Sequence, residues 1–592
     1  MNNAALAVAV SFSLLLALTG ASPSHARTTP ATQDVSTVTK KPDLSWHIKK
    51  DHWSGEDNRN FEKFIFFMGD SGCRTVDQCL KSPANPWRDT DPAGMKYYSD
   101  CGDFPYVLRA YFAWKNNLPF SVAAAIYCEG HSRPCNIQYN AHGNRIYKRF
   151  DITAKSADQP PNGIQTLNRI SWLVTSALYR INPLSCFNHD ENRFSDHYPV
   201  AISRESVKPG TVVYDPNGHV AIVYKIEKDG RILFMDAHPD NSVTRGTFGR
   251  KFAMSRHEMG PGFKNWRPLK LTGYTRSSDG TLIGGRITGT LEGKLPDFST
   301  EQYFGNQDGT AQKLRPDLIC RSPEKQKEAQ LLVRETKKQK SIAKEHETTM
   351  FSSGGETLDY YDYVRSKMAL GDLKFHPVQE LTNMLQGLCN DIKDRAVSVQ
   401  VAIAKGIHKK KHPPRLPYNI YGTTGEWEDY STPSRDARLK TSFKELRDQL
   451  AVFIARQRSG DAKIIYAGKD IKHDLLAAFE HEAKACTITY AKTDGQTVTL
   501  SLEDVLDRLF KLSFDPYHCI ELRWGASSTD ELASCRDSAV KRKWYDGEQF
   551  MRNQIDRTYN AKMNFSLKEL FKHQKGNGVP EAPEADARKI LR

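Results

Sequence analysis

The sequence predicts an α+β fold: a helix led by a cysteine, packed on a small antiparallel sheet led by a histidine, then a mainly α-helical C-terminal region. Three patterns carry that prediction. Phe104, Val107, Leu108, Tyr111 and Phe112 recur at i, i+3, i+4, i+7 and i+8, the period of one helix face. Residues 207–237 alternate strand-like runs with the turn signals Lys208-Pro209-Gly210, Asp215-Pro216-Asn217-Gly218 and Lys228-Asp229-Gly230. Beyond residue 380, Leu381, Leu385 and Leu388, then Leu446, Leu450, Phe453 and Ile454, keep helical spacing.

With 592 residues the chain exceeds a single core, since domains run to about 150 residues. Apolar content of 39%, including 24 Tyr, 27 Phe and 9 Trp, is enough for packed interiors and excludes global disorder. The formal charge of +14 favours anionic surroundings. Anionic envelope polymers are the expected partners of that charge, and nucleic acid is not.

Residues 4–18 form an apolar run broken only by Ser11 and Ser13, followed by Gly20 and Ser24-His25-Ala26. Small residues at −3 and −1 of a cut after Ala26 predict a signal peptide over 1–26. Met1-Asn2-Asn3 lacks the usual Lys or Arg, so a retained N-terminal anchor is the alternative. The mature chain is expected to be exported, periplasmic or secreted, with no transmembrane span. Eleven cysteines in an oxidising compartment leave at least one unpaired. Cys73 with Cys79, Cys128 with Cys135, and Cys519 with Cys535 are close enough in sequence to bridge.

In chain order, 27–52 reads as a Thr/Pro/Lys-rich flexible lead-in. A first folded domain is assigned to 53–275. It opens with a short helix over 60–68, and the cysteine-led helix runs to about residue 116, where Asn116-Asn117-Leu118-Pro119 stops it. Residues 128–165 lack clean periodicity and read as a surface excursion; an amphipathic helix follows over 165–179. Residues 211–214, 219–226 and 231–237 are the strands of an antiparallel sheet. Residues 276–322 are Gly-rich and read as a linker with a short hairpin. A helical domain of unknown role takes 323–592. It starts with a solvated helix over 323–346, has helices over 468–486 and 502–512, and has a strand pair over 486–490 and 497–500. The basic run His408-Lys409-Lys410-Lys411-His412 reads as a solvated loop. His481-Glu482 lacks the second histidine of a zinc-protease motif, and neither a phosphate-cradling loop nor a close-set cysteine array occurs. No cofactor or metal is expected.

The chemistry lies in two places. Ser99-Asp100-Cys101-Gly102-Asp103 leads into the apolar helix, where free N–H groups and the helix dipole favour a thiolate. His219 opens the middle strand, and a hairpin turning at 228–230 brings Asp236 and His238 close to opposite it. A thiol nucleophile needs an imidazole to move its proton and a third polar group to orient that imidazole. Cys101, His219 and either Asp236 or His238 supply the set. Pro105 lacks an N–H, so the helix is expected to begin near Gly102 or Asp103 with Asp103 as N-cap. A carboxylate there raises the thiol pKa unless it faces away.

The stretch Tyr98-Ser99-Asp100-Cys101-Gly102-Asp103-Phe104 resembles the Asp-Cys-Ser-Gly-Phe/Leu motif of NlpC-type cell-wall cysteine peptidases. Val207-Lys208-Pro209-Gly210-Thr211-Val212-Val213-Tyr214 resembles their Lys-Pro-Gly-Asp-Leu-Val strand, and Gly218-His219-Val220-Ala221-Ile222-Val223 their His-Val-Gly/Ala-Ile strand. The spacing from His219 to Asp236 and His238 is similar to that of CHAP-type amidohydrolases. The resemblance covers about residues 85–250. It implies a papain-like module that cleaves peptide or amide bonds in peptidoglycan through Cys101, His219 and Asp236, with His238 as the other choice for third member. The Cys101 N–H and a hydroxyl from Tyr97 or Tyr98 are then expected to hold the oxyanion. Gly102-Asp103 departs from the family's Ser-Gly. A non-catalytic envelope-binding protein on the same core and a transglutaminase-like acyltransferase are the other readings.

Overall fold

The computed structural model describes residues 43–592 except 157, 217, 341–348, 419–424 and 556–562. The predicted signal peptide and the first part of the lead-in lie outside the described residues. Residues Asp43–Arg592 form one compact unit. The architecture is mixed α+β, with small antiparallel sheets and a helical C-terminal region.

The helices that matter here are α1 (Gly55–Asp70), α2 (Phe104–Lys115), α3 (Gly163–Leu173), α4 (Pro323–Lys340), α5 (Tyr360–Met368), α6 (Pro377–Ala404), α7 (Glu426–Tyr430), α8 (Pro433–Arg458) and α9 (Ile471–Ala485). The strands are β1 (Phe120–Tyr127), β2 (Pro134–Cys135), β3 (Ile146–Ile152), β4 (His197–Pro199), β5 (Val212–Asp215), β6 (His219–Ile226), β7 (Ile232–Ala237), β8 (Val243–Thr247), β9 (Gly262–Trp266), β10 (Leu269–Arg276) and β11 (Leu282–Gly289).

The central sheet is six-stranded, antiparallel and ordered β4-β9-β5-β6-β7-β8. The predicted hairpin forms its middle: Asp215 pairs with His219, and Ile222 with Met235. Its turn depends on Gly230, at φ +87°, where an added Cβ would meet the Arg365 carbonyl oxygen at 2.4 Å. Both faces of this sheet are covered, so the middle strands are nearly continuously apolar rather than alternating in and out. Val212, Tyr214, Val220, Ile222 and Met235 join the core of α1 and α2. Val213, Ala221, Val223 and Phe234 face the other way, into a core with Phe252 and with Tyr363, Val364 and Met368 of α5.

The helix behind Cys101 is buried all round, from Phe104 to Trp114, so its apolar stripe is wider than the periodicity predicts. Several boundaries differ from expectation, most of them because a polar-looking segment is pinned by backbone pairing. Within the lead-in, Trp46 and Ile48 are fully buried and the Ile48 carbonyl accepts the Leu282 N–H. The stretch expected as a surface excursion holds β2 and β3, which pair with the preceding β1 in a three-stranded antiparallel sheet. The expected linker contains β11, paired with β10, and sends Leu282 and Ile287 into the main core. The 165–179 helix divides into α3 and a 3-10 turn, Ser176–Tyr179. Farther on, α6, α8 and α9 pack around Leu381, Leu385, Phe443, Leu446 and Phe479 as a helical core, and the predicted strand pair forms as Thr487–Ala491 with Thr497–Ser501.

The three short-range disulfides form, joined by Cys186–Cys320 and Cys389–Cys486, which proximity in sequence gives no hint of. Cys101 is left as the free thiol. Five disulfides fit an oxidising compartment, and none of the described helices is long and apolar enough to cross a membrane. Labelling of the unfolded, unreduced protein is therefore expected to find one thiol, at Cys101; a second labelled cysteine contradicts this pairing.

Candidate active site

Asp100 builds the turn that carries the cysteine. Its Oδ1 accepts the N–H groups of Gly102 (2.7 Å) and Asp103 (3.2 Å), and its carbonyl accepts that of Phe104 at 3.1 Å. Capping thus comes from Asp100 and not from Asp103, whose side chain makes no cap bond to α2. Asp103 instead folds back: its carboxyl takes the Asp100 N–H at 2.7 Å and the hydroxyls of Ser99 and Ser171. Burial first, and then Asp100 beside it, push the Asp103 carboxyl well above the usual carboxylate range. Gly102 departs from the familiar motif for a steric reason. An added Cβ would lie 2.4 Å from the Ser176 nitrogen, so the backbone at 175–176 occupies the space a side chain needs.

The Cys101 sulfur lies against the backbone on either side of His219. It is 3.9 Å from the Gly218 carbonyl oxygen, and the Val220 N–H points at it. The β6–β7 pairing stops at Ile222 and Met235, which leaves that N–H free of the ladder. Among the described residues nothing accepts a hydrogen bond from the Cys101 N–H. Burial, followed by Asp100 and by the more distant Asp236 and Asp103, pushes the Cys101 thiol well above its ordinary value, overriding both the helix end and the Val220 N–H.

His219 and Asp236 share one sheet face. His219 Nε2 lies 2.7 Å from Asp236 Oδ2, and Asp236 is 1% exposed. Thr244, the register partner of Asp236 on β8, donates its hydroxyl to Oδ1 at 2.6 Å. Burial works to protonate Asp236, but Arg438 and the His219 hydrogen bond hold its carboxyl well below the usual range. Arg438, on α8, lies 2.5 Å from Asp236 Oδ2 and 2.9 Å from His219 Nε2, and donates to Thr244 at 3.0 Å. His238 sits one layer back. Its Nε2 is 3.0 Å from the Thr244 hydroxyl and 3.7 Å from Asp236, while its ring centre is 6.2 Å from that of His219. Burial and Arg435 push it well below the ordinary histidine value, so it is neutral.

Neither tyrosine hydroxyl is directed to the sulfur. Tyr97 donates to Asp91 and Tyr98 to the Pro239 carbonyl, which corrects the expected oxyanion contact. Thr244 and Arg438 were not foreseen. Thr244 is signalled only by register, as a hydroxyl opposite Asp236; Arg438, in a charge-rich helix, carries no sequence signal. No known protein family, curated protein or solved structure matches this chain.

Gly102→Ala should lose about 1–3 kcal/mol, the usual range for overpacking a tight site, measured by denaturant unfolding. Wild-type stability in that variant contradicts the close contact with residues 175–176.

Proposed function

We propose that the chain is an exported cysteine peptidase or amidase that hydrolyses peptide or amide bonds, most simply in peptidoglycan, through a Cys101 acyl-enzyme. The carrying observation is that the single unpaired cysteine lies between Gly218 and Val220, and His219 between them is seated on Asp236. The arrangement of helix, sheet and site favours the papain-like reading.

With Nε2–H donating to Asp236, the Nδ1 lone pair of His219 is left to take the thiol proton. The sulfur then attacks the carbonyl carbon as the C–S bond forms, and the carbonyl oxygen gains the negative charge. The Cys101 N–H is the donor for that charge. Collapse breaks the C–N bond, and the Nδ1 proton goes to the leaving amine. Water next attacks the thioester, giving its proton to Nδ1. The C–S bond breaks, the acid is released, and Nδ1 returns the proton to sulfur. Asp236 stabilises the imidazolium in both halves, with Thr244 and His238 fixing its orientation. An acceptor amine in place of water turns the same steps into acyl transfer.

A second reading has one observation behind it: the raised thiol suits a non-catalytic envelope-binding protein on the same core. Purified muropeptides and cross-linked sacculi separate the two. Cys101→Ala should abolish release of new amino and carboxyl termini while the unfolding midpoint holds. Asp236→Asn should reduce kcat by at least ~10²-fold, since it removes the charge that stabilises the imidazolium. Hydrolysis undiminished in Cys101→Ala overturns the proposal, and binding to sacculi without turnover selects the second reading.

A further inference from the structure

The start of α8 puts two arginines on the ends of β7 and β8. Arg435 reaches Asp240 at 2.6 Å and the Ser242 hydroxyl at 2.5 Å, and Ser398 of α6 also reaches Asp240. One turn on, Arg438 spans Asp236, Thr244 and His219. Burial acts to lower the Arg438 guanidinium, but Asp236 and Asp391 of α6 override it and push it upward, so the cation persists.

A single ring nitrogen therefore has two suitors. Asp236 Oδ2 accepts a proton from His219 Nε2, whereas Arg438 Nη2 is a donor 2.9 Å from the same atom. If Nε2 carries the proton, an N–H meets an N–H. If Nε2 accepts from Arg438, the ring proton moves to Nδ1, and Nδ1–H cannot take a proton from the thiol. Arg438 also offsets the Asp236 charge and repels the imidazolium that the proposed reaction has to form.

We propose that Arg438 is a built-in brake on the Cys101–His219 pair: the C-terminal half of the chain holds the site latent by occupying Asp236 and His219 Nε2. The inference rests on the hydrolase reading and adds its regulation. Around the pair, the sheet supplies Asp236 and neutral His238, and the following loop supplies Asp240. α6 supplies Asp391 and Asp394, and the nucleophile turn supplies Asp100 and Asp103. Arg435 and Arg438 are the cations that α8 supplies, and Arg435 is held by Asp240. Lys251 and Arg74 also face Asp391 and Asp394, and Arg438 is the cation within hydrogen-bond distance of His219.

The test needs no substrate. In the full-length protein, the iodoacetamide alkylation rate of Cys101 is measured against pH for wild type, Arg438→Gln, Arg438→Lys and the double variant Arg438→Gln/His219→Asn. Arg438→Gln should raise the rate at pH 7 by at least ~10-fold and move the midpoint at least about one pH unit downward. Arg438→Lys, whose single ammonium cannot span all three partners, should change both in the same direction by less. The gain should vanish in the double variant, because simple loosening of the site would persist there. An unchanged or slower rate in a folded Arg438→Gln protein overturns the brake, as does a gain independent of His219. Should Arg438→Gln fail to fold, Arg438→Lys decides by the same signs. Faster alkylation with no hydrolysis of sacculi counts against the hydrolase reading alone; wild-type hydrolysis unaltered by Arg438→Gln counts against the brake alone.

Discussion

One buried carboxylate governs the site. Asp236 is 1% exposed, and an ionised group at such a depth is tolerated only when its oxygens are fully occupied by donors. It meets that requirement with His219 from β6, Thr244 from β8 and Arg438 from α8. His219 and Thr244 are close to Asp236 along the chain, whereas Arg438 comes from 202 residues away. Removing any of them leaves charge under-compensated in a place water does not reach, so the demand of a single side chain fixes where a long helix of the C-terminal region can lie. Ion pairs of this kind contribute little net stability because desolvation offsets their attraction, but they discriminate strongly among alternative packings. Here the arrangement selected is the one that closes the C-terminal half onto the sheet.

The doubly covered sheet explains why the site is assembled at a corner. α2 and the nucleophile turn lie on one face with Val220 and Ile222, whereas His219 and Asp236 belong to the opposite face with Ala221 and Phe234. The two sets can meet only where β6 begins and its pairing with β7 has ended. There the Val220 N–H, without a partner strand, turns to sulfur. A ladder continued by one more rung would take that N–H away. On the proposed reading, the end of pairing is thus part of the chemistry.

What the sequence makes legible follows from which contacts are local. The helix after Cys101 and the hairpin from 211 to 237 announce themselves through period and turn residues, and the hairpin brings His219 and Asp236 together within eighteen residues. Parity of the cysteines signals a free thiol, and the short-range bridges follow from proximity. Contacts that cross hundreds of residues leave no such trace. Cys186–Cys320 and Cys389–Cys486 are not readable from spacing, and Arg438 lies in a charge-rich stretch just ahead of the Leu446–Ile454 helical pattern, with nothing to single it out. The segments at 43–52 and 276–289 look like loops because their apolar residues are few, yet Trp46, Ile48, Leu282 and Ile287 are buried through backbone pairing with partners far along the chain. Tyr98 misleads for the opposite reason. Adjacency to the nucleophile places its backbone, not its hydroxyl, and the hydroxyl turns to Pro239.

The resting electrostatics then constrain how such a site can work. A thiolate–imidazolium pair is the usual store of reactivity in a papain-like centre, but burial and then Asp100 oppose a thiolate here. On the proposed hydrolase reading, charge separation is therefore created together with attack, when the negative charge leaves sulfur for the carbonyl oxygen and comes under the Cys101 N–H. That shifts the burden from a preformed nucleophile to the alignment of sulfur, imidazole and carbonyl carbon. Rigid supports for that alignment are what the fold provides: the Asp100 cap, the missing side chain at Gly102, the Asp103 ties to Ser99 and Ser171, and the Thr244 hydroxyl on Asp236. A turn so tightly braced can hold a neutral thiol in line without spending its charge in advance.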